Sequence, residues 1–466
     1  MAGEEKPELK RVIGFWGGTA LIIGITIGAG IFRKPYTLAK DLHDPVTILG
    51  LWTLFGLISL AGALALAELS SMLPRTGGAY VFLRAAYGDS AAFVFGWIYL
   101  LVTAPAGIGA LAAYFAELLL GLLGRDLKTV SPWTVPGIAA STVVLLSFAN
   151  LLGARLGAAI QGLFTLIKCA ALVLLIGVSL FLSSGSAGHW SDRAGATVSF
   201  ATLGSGVAAV IWAYDGWIAV SMIAGEVVAP ERLMKRVIVM GMLAIVVLYV
   251  GANLGYFFAM PVDAMAAEVG GVPQKIMKGV MGDRGATLIA GGIMCSVFGA
   301  LNGNILAKPR VSYALSQDGL TFKFLGRTHP RWSTPYAAIL IQAAVAVLLI
   351  FLLRDPEKPQ RLFDDLTTYF VVVEWFALLF SVGAVLVLRR RMPDTPRPYR
   401  TPGYPWVPLF FLGGTAVGLS AIVWSELKAG HWSPVMGLGI AAAGFPVFWI
   451  WRRKRPSPPA SPPPAP

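Results

Sequence analysis

The chain has 466 residues, of which 56% are hydrophobic and only 13% charged; that excludes a soluble globular domain and reads as a protein crossing a bilayer many times. Its net charge of +13 would suggest a nucleic-acid partner in a soluble protein, but in a membrane protein it matters through its distribution over loops, so no nucleic acid is expected. Two cysteines, Cys169 and Cys295, lie inside apolar runs, and the four histidines fall in connecting segments without ligand spacing, so no disulfide framework, metal or cofactor is expected.

Runs of roughly 20 apolar residues, enough to span a bilayer, recur near 12–38, 46–73, 90–122, 133–151, 157–183, 200–226, 236–260, 285–315, 335–354, 362–389, 405–427 and 433–451. The expected fold is therefore an all-α polytopic membrane protein with twelve transmembrane helices. Residues 1–11 form a tail with acidic residues and no small-residue cleavage pattern, expected to precede a retained first span. Residues 12–455 form the membrane domain, and the proline-rich 456–466 is expected to be disordered. Most of the 37 lysines and arginines, Lys308 and Arg310 among them, fall in segments on the side of the termini, which predicts both termini in the cytoplasm and a place in the cytoplasmic membrane.

Span one carries Gly24-Ile25-Thr26-Ile27-Gly28-Ala29-Gly30-Ile31-Phe32 near its middle. Three glycines in seven residues weaken a helix by about 1 kcal/mol each. Such a stretch either packs tightly on another helix or opens its backbone toward a cavity. Span six carries Val210-Ile211-Trp212-Ala213-Tyr214-Asp215-Gly216-Trp217, with an acid and a glycine at similar depth. Spans one and six correspond if the first ten spans form two inverted five-span halves, about 12–183 and 200–389, followed by two additional spans. Matched interruptions of this kind point to a transporter binding site. Half-helices broken there leave carbonyls for an ammonium group and N–H groups for a carboxylate, the two charged ends of an α-amino acid.

The motifs resemble the amino acid–polyamine–organocation superfamily, near the L-type amino acid transporters and their bacterial relatives. Ile27-Gly28-Ala29-Gly30-Ile31-Phe32 is similar to the Gly-Ser-Gly-Ile-Phe signature of that superfamily. Ala67-Glu68-Leu69 with Leu73-Pro74-Arg75-Thr76-Gly77-Gly78 resembles its second-span exit, and Tyr214-Asp215-Gly216-Trp217 with Gly225-Glu226-Val227 its sixth span. Phe298-Gly299-Ala300-Leu301-Asn302-Gly303 with Arg310, and Glu374-Trp375 with Arg397-Pro398-Tyr399, resemble the eighth and tenth spans and their exits. The resemblance implies a 5+5 inverted repeat with broken helices one and six, and alternating access. It places a substrate carboxylate on the N–H groups of Gly28, Ala29 and Gly30, and the amino group on carbonyls of Thr26, Trp212 and Asp215. Ile27 and Ala213 belong to the same two breaks, Trp212 matches an aromatic gate, and Trp375 resembles a pocket residue. Ala29 replaces the usual serine, and Ile218 an asparagine of animal relatives.

Charged groups within spans complete the reading. Lys168 lies near mid-depth of span five, where an exposed charge costs on the order of 2.5–3.5 kcal/mol, so it needs a cavity or partners. It either locks span five to the glycine stretch or, as the resemblance implies, stands where sodium-coupled relatives hold an ion and proton-coupled relatives a proton. Asp215 either caps the second half of span six or contacts substrate. Ser296 is a candidate polar contact from span eight, Glu226 either a solvated or a gate-pairing residue, and Glu374 either a structural carboxyl or part of a proton path. No nucleophile–base pair or phosphate loop suggests an enzyme. The expected function is sodium-independent amino acid transport by exchange or with protons, small neutral substrates first, with the lipid bilayer as the surrounding partner. The alternatives are cationic amino acid or polyamine transport, with Asp215 and Glu374 holding a second ammonium, and a non-transporting amino acid sensor.

Overall fold

The computed structural model describes residues 9–127, 129–191, 199–268, 271–355 and 362–453. The proline-rich tail and most of the N-terminal tail lie outside the described residues. Among those described, regular structure is helical, and the pairing outside helices is an isolated parallel bridge between Ile13 and Val227. The first nine α-helices are α1 (Phe15–Thr26), α2 (Gly30–Leu42), α3 (Pro45–Met72), α4 (Ala79–Tyr87), α5 (Asp89–Ile98), α6 (Ala104–Leu122), α7 (Thr134–Leu151), α8 (Ala154–Gly177) and α9 (Phe200–Tyr214). They are followed by α10 (Ala219–Met222), α11 (Pro230–Ala259), α12 (Val262–Ala267), α13 (Val272–Ala307), α14 (Pro309–Gln317), α15 (Tyr336–Leu352), α16 (Leu362–Arg391), α17 (Trp406–Lys428) and α18 (Ser433–Arg453).

Ten stretches of the described chain are long and apolar enough to cross a membrane, counting α1–α2, α5–α6 and α13–α14 each as one; α9 and α15 are apolar but shorter. The 15 residues of α9 rise about 22 Å, short of a hydrocarbon core of about 30 Å. Large apolar side chains such as Leu145, Phe148, Leu166, Phe181 and Val247 are exposed, as on a surface that lipid covers.

Local chemistry sets where the helices begin. Asp44 accepts from the N–H groups of Val46 and Thr47, both at 3.3 Å, with Pro45 in the first turn of α3. Ser199 and Thr202 cap α9 reciprocally, side chain to backbone, at 3.1 and 2.9 Å.

Inside the bundle α1 packs against α8, α11 and α13, α9 against α2, α3 and α17, and α6 against α7, α13, α15 and α16. Both ends of the described chain lie on one side. Val12 and Ile13 donate to the Glu226 carbonyl at 2.9 and 3.0 Å, Glu226 pairs with Arg310, and Trp451 meets Phe322 edge-on at 4.8 Å, beyond the end of α14.

Span eight extends beyond its expected bounds of 285–315. The helix begins at Val272, turns at Gly282 (φ 65°) and runs on to Ala307 before Pro309 opens α14. Lys308 and Arg310, counted at the terminal-side end of the expected span 285–315, are buried between helices.

Candidate functional site

Span one is interrupted where its glycines cluster. α1 ends at Thr26, α2 starts at Gly30, and Gly28 donates its N–H back to the Thr26 carbonyl at 2.8 Å. Phe32 and Arg33 donate to the Ala29 carbonyl at 3.2 and 2.9 Å, while the N–H groups of Ala29 and Gly30 meet no acceptor among the described residues. These unpaired donors form the positive end of a 13-residue helix, a ready anion site. The expected three-donor clamp therefore narrows to Ala29 and Gly30, because the Gly28 donor is turned inward.

The span-six interruption crosses this one at van der Waals contact. α9 ends at Tyr214, Asp215 is extended (φ −70°, ψ 154°) and Gly216 has φ 115°. A Cβ at Gly216 would lie 2.8 Å from Ile25 Cγ2 and 3.1 Å from the Thr26 nitrogen; one at Gly30 would lie 2.5 Å from Ala213 Cα. Each glycine is required by close approach to the opposite break, and Gly216 also by its left-handed backbone. Tight packing and opened backbone, posed as alternatives by the sequence, are both present.

The carbonyl ends are largely occupied. The Tyr249 hydroxyl on α11 lies 2.7 Å from the Thr26 oxygen and 3.0 Å from the Ala213 oxygen, tying the two breaks together. Asp215 N–H donates to the Trp212 carbonyl at 3.3 Å. Thr26, expected to receive the substrate amino group, already accepts from Gly28 and Tyr249. Open carbonyls remain beside the two breaks at Ile25 and Asp215, neither with a donor among the described residues.

Lys168 is buried behind the break and donates to three carbonyls: Gly24 at 2.6 Å, Ser296 at 2.8 Å and Ile27 at 2.9 Å. Three donors meeting three acceptors is the full valence of an ammonium group. The Ser296 hydroxyl also donates to Ile27 at 2.9 Å.

Between the breaks lies a cavity of about 20 Å³, room for about one water. Ile25, Thr26, Gly28, Ala29 and Gly30 line one wall; Trp212, Asp215, Asn304, Lys308, Phe370, Gly107 and Leu111 line the rest. The structure thus brings together Thr26, Gly28, Ala29, Gly30, Trp212 and Asp215 of the expected set. Ile27, Ala213, Ser296, Lys168 and Trp375 do not line the cavity. Ile27, Ser296 and Lys168 form the support behind it, and Ala213 packs against Gly30. Trp375 corrects the expectation most clearly: it is buried against Phe411 in a near-parallel stack at 6.0 Å and 21°, facing α17. Nor does Asp215 cap the second half of span six, because α10 starts at Ala219 after Ile218 with no side-chain cap.

Two layers flank the cavity. Toward the end of α2, Trp212 meets Phe363 and Phe370 edge-on at 5.7 and 5.0 Å. Arg33 pairs with Glu117 there, and Lys34 with Asp364 at 3.0 Å. Beyond this single layer a vestibule of about 710 Å³ opens, lined by Arg33, Tyr36, Lys40, Asp41, Glu117 and Asp364. Toward the termini closure is deeper. Buried Glu226 takes Arg310 through both oxygens at 2.8 and 3.2 Å, so it is paired rather than solvated. Asp318 binds Arg84 at 2.6 Å and Arg75 at 3.3 Å and accepts from the Tyr80 hydroxyl at 3.0 Å. Burial, helped by the Asp318 charge, pushes the Tyr80 hydroxyl far above its ordinary pKa and keeps it a donor.

The amino acid permease family model matches residues 13–445. The chain is 31% identical to the serine/threonine exchanger SteT of Bacillus subtilis over 451 residues, covering 96% of this chain and 98% of that protein. It is 26% identical to the human cystine/glutamate transporter, covering 97% and 88%. Identity to the large neutral amino acids transporter small subunit 2 of Mus musculus is 27%, covering 96% and 82%.

Proposed function

The chain belongs to the amino acid permease family, and from that premise we propose that it is a sodium-independent secondary transporter of small neutral amino acids. Its relatives are transporters, not enzymes. The observation that carries the reading is the polarity of the span-one break. Unpaired N–H groups of Ala29 and Gly30 receive the substrate carboxylate, and the open Ile25 carbonyl, on the same cavity, receives its ammonium group.

Side-chain choice falls to Lys308 and Asp215. Both line the cavity, one a donor and the other an acceptor. A hydroxyl satisfies both, which favours serine and threonine, the substrates in the name of the B. subtilis relative. A cationic side chain or polyamine would meet the Lys308 ammonium, and this disfavours the cationic alternative.

Sodium independence rests on Lys168, whose ammonium ties Gly24, Ile27 and Ser296 where an ion would otherwise hold those carbonyls. Transport proceeds by alternating access in a 5+5 inverted repeat. The twelve spans are the ten long stretches together with α9, continued through its break into α10, and α15. The state described is closed, with the thinner barrier on the α2 side. With termini in the cytoplasm, that side faces outward.

The test is counterflow in proteoliposomes preloaded with L-serine, in sodium and in choline medium. Equal accumulation of labelled L-serine in both supports the reading. Sodium-stimulated uptake contradicts sodium independence, and absence of counterflow contradicts transport.

A further inference from the structure

Three ionisable side chains meet beside the cavity without an ion-pair contact. Asp215 follows α9, Lys308 joins α13 to α14, and Glu374 lies on α16 one turn past Phe370. Lys308 Nζ is 4.7 Å from the centre of the Phe370 ring and 5.8 Å from that of Tyr99. The Tyr99 hydroxyl donates to Glu374 Oε1 at 3.1 Å. Asp215 and Lys308 line the same cavity, yet among the described residues neither carboxylate comes within 4.0 Å of Lys308 Nζ. Asp215 Oδ1 and Glu374 Oε2 are enclosed with no hydrogen-bond partner.

A carboxylate only accepts, so an enclosed oxygen without a donor keeps its full desolvation cost. One ammonium and two carboxylates also leave one uncompensated negative charge in a low-dielectric site. Other charges on the packed elements are already engaged: Glu68 by Arg389, Glu117 by Arg33, Arg310 by Glu226, and Arg84 and Tyr80 by Asp318. Lys168, across the break, is held by its three carbonyls.

We propose that Asp215 and Glu374 hold one exchangeable proton between them, opposite Lys308, and that this carboxyl pair, rather than Lys168, is the protonatable site of the pocket. The proton neutralises the cluster and gives one of the two acids an O–H donor. Neutrality makes the three residues interdependent: removing either carboxylate removes the need for the proton, and removing the ammonium calls for a second.

Infrared titration of the purified full-length protein in H2O and D2O tests this through the C=O stretch of a protonated carboxyl, which shifts on deuteration. Wild type should show one such group per chain, lost as pH is raised. Both Asp215→Asn and Glu374→Gln should abolish it, and Lys308→Met should double it. Absence of the band in wild type, or its survival in either single variant, overturns the proposal. Thermal unfolding identifies any variant that does not fold, and the wild-type band together with the remaining variant then decides. Serine counterflow judges the transport reading separately, so either can fail alone.

Discussion

At the scale of single residues, Gly28 and Gly30 separate packing from recognition. A Cβ on Gly30 would fall 2.5 Å from Ala213 Cα, a backbone atom that cannot step aside. Gly30→Ala is expected to cost at least the ~1–3 kcal/mol of an overpacked core, visible as lost yield and a lowered Tm. At Gly28 the added carbon would meet Ala300 Cβ at 3.3 Å and Leu111 Cδ2 at 3.4 Å at the cavity wall, with the Ile25 carbonyl oxygen at an ordinary contact of 3.7 Å. Gly28→Ala should therefore fold and show weakened L-serine binding in a direct binding assay. Lys308→Met removes a charged hydrogen-bond donor worth about 1.5–3 kcal/mol, so the preference for L-serine over L-alanine should fall by at least about tenfold in competition measurements. Lys308 was not legible in the sequence, because Ala307-Lys308-Pro309-Arg310 reads as the charged exit of an apolar run. Its depth is set by tertiary packing of α13 and α14. Trp375 misled for a simpler reason. It stands five residues beyond Phe370, about 140° further round the helix, so when Phe370 faces the cavity Trp375 faces α17.

At the scale of elements, the two breaks act as one unit. Both were readable because glycine and a polar residue in mid-span mark opened backbone. What joins them was not readable, since Tyr249 looks like any aromatic in an apolar helix. Tyr249→Phe keeps the ring contacts with Trp52 and Tyr214 and leaves the Ala213 carbonyl without its hydroxyl partner. The expected cost is about 1–3 kcal/mol, measured as a lower Tm, together with slower counterflow at unchanged protein yield. The terminal-side closure rests on a buried ion pair. Glu226→Gln leaves Arg310 buried opposite a neutral amide, and breaking such a pair costs about 3–5 kcal/mol. The variant should therefore favour opening on the terminal side, seen as faster thiol labelling of a cysteine introduced at Ala224 and a lowered Tm. Unchanged labelling would assign the closure to the Asp318 cluster instead.

At the scale of the whole molecule, the multi-span helical nature was legible because apolar run length is set by bilayer thickness. Run length says little about where a helix breaks or how deep a residue lies, which is why the bend of span eight at Gly282 was not foreseen and span six is short as a helix. In the proposed function the opened backbone of span one recognises both charged ends of an α-amino acid, with Lys168 in the place of a metal ion. This recognition is tested most directly by competition in serine counterflow, in sodium and in choline medium, using L-serine, its methyl ester and N-acetyl-L-serine. L-serine should compete equally in both media, while the ester and the N-acetyl compound should not compete. Competition by either blocked compound, or a requirement for sodium, would contradict it.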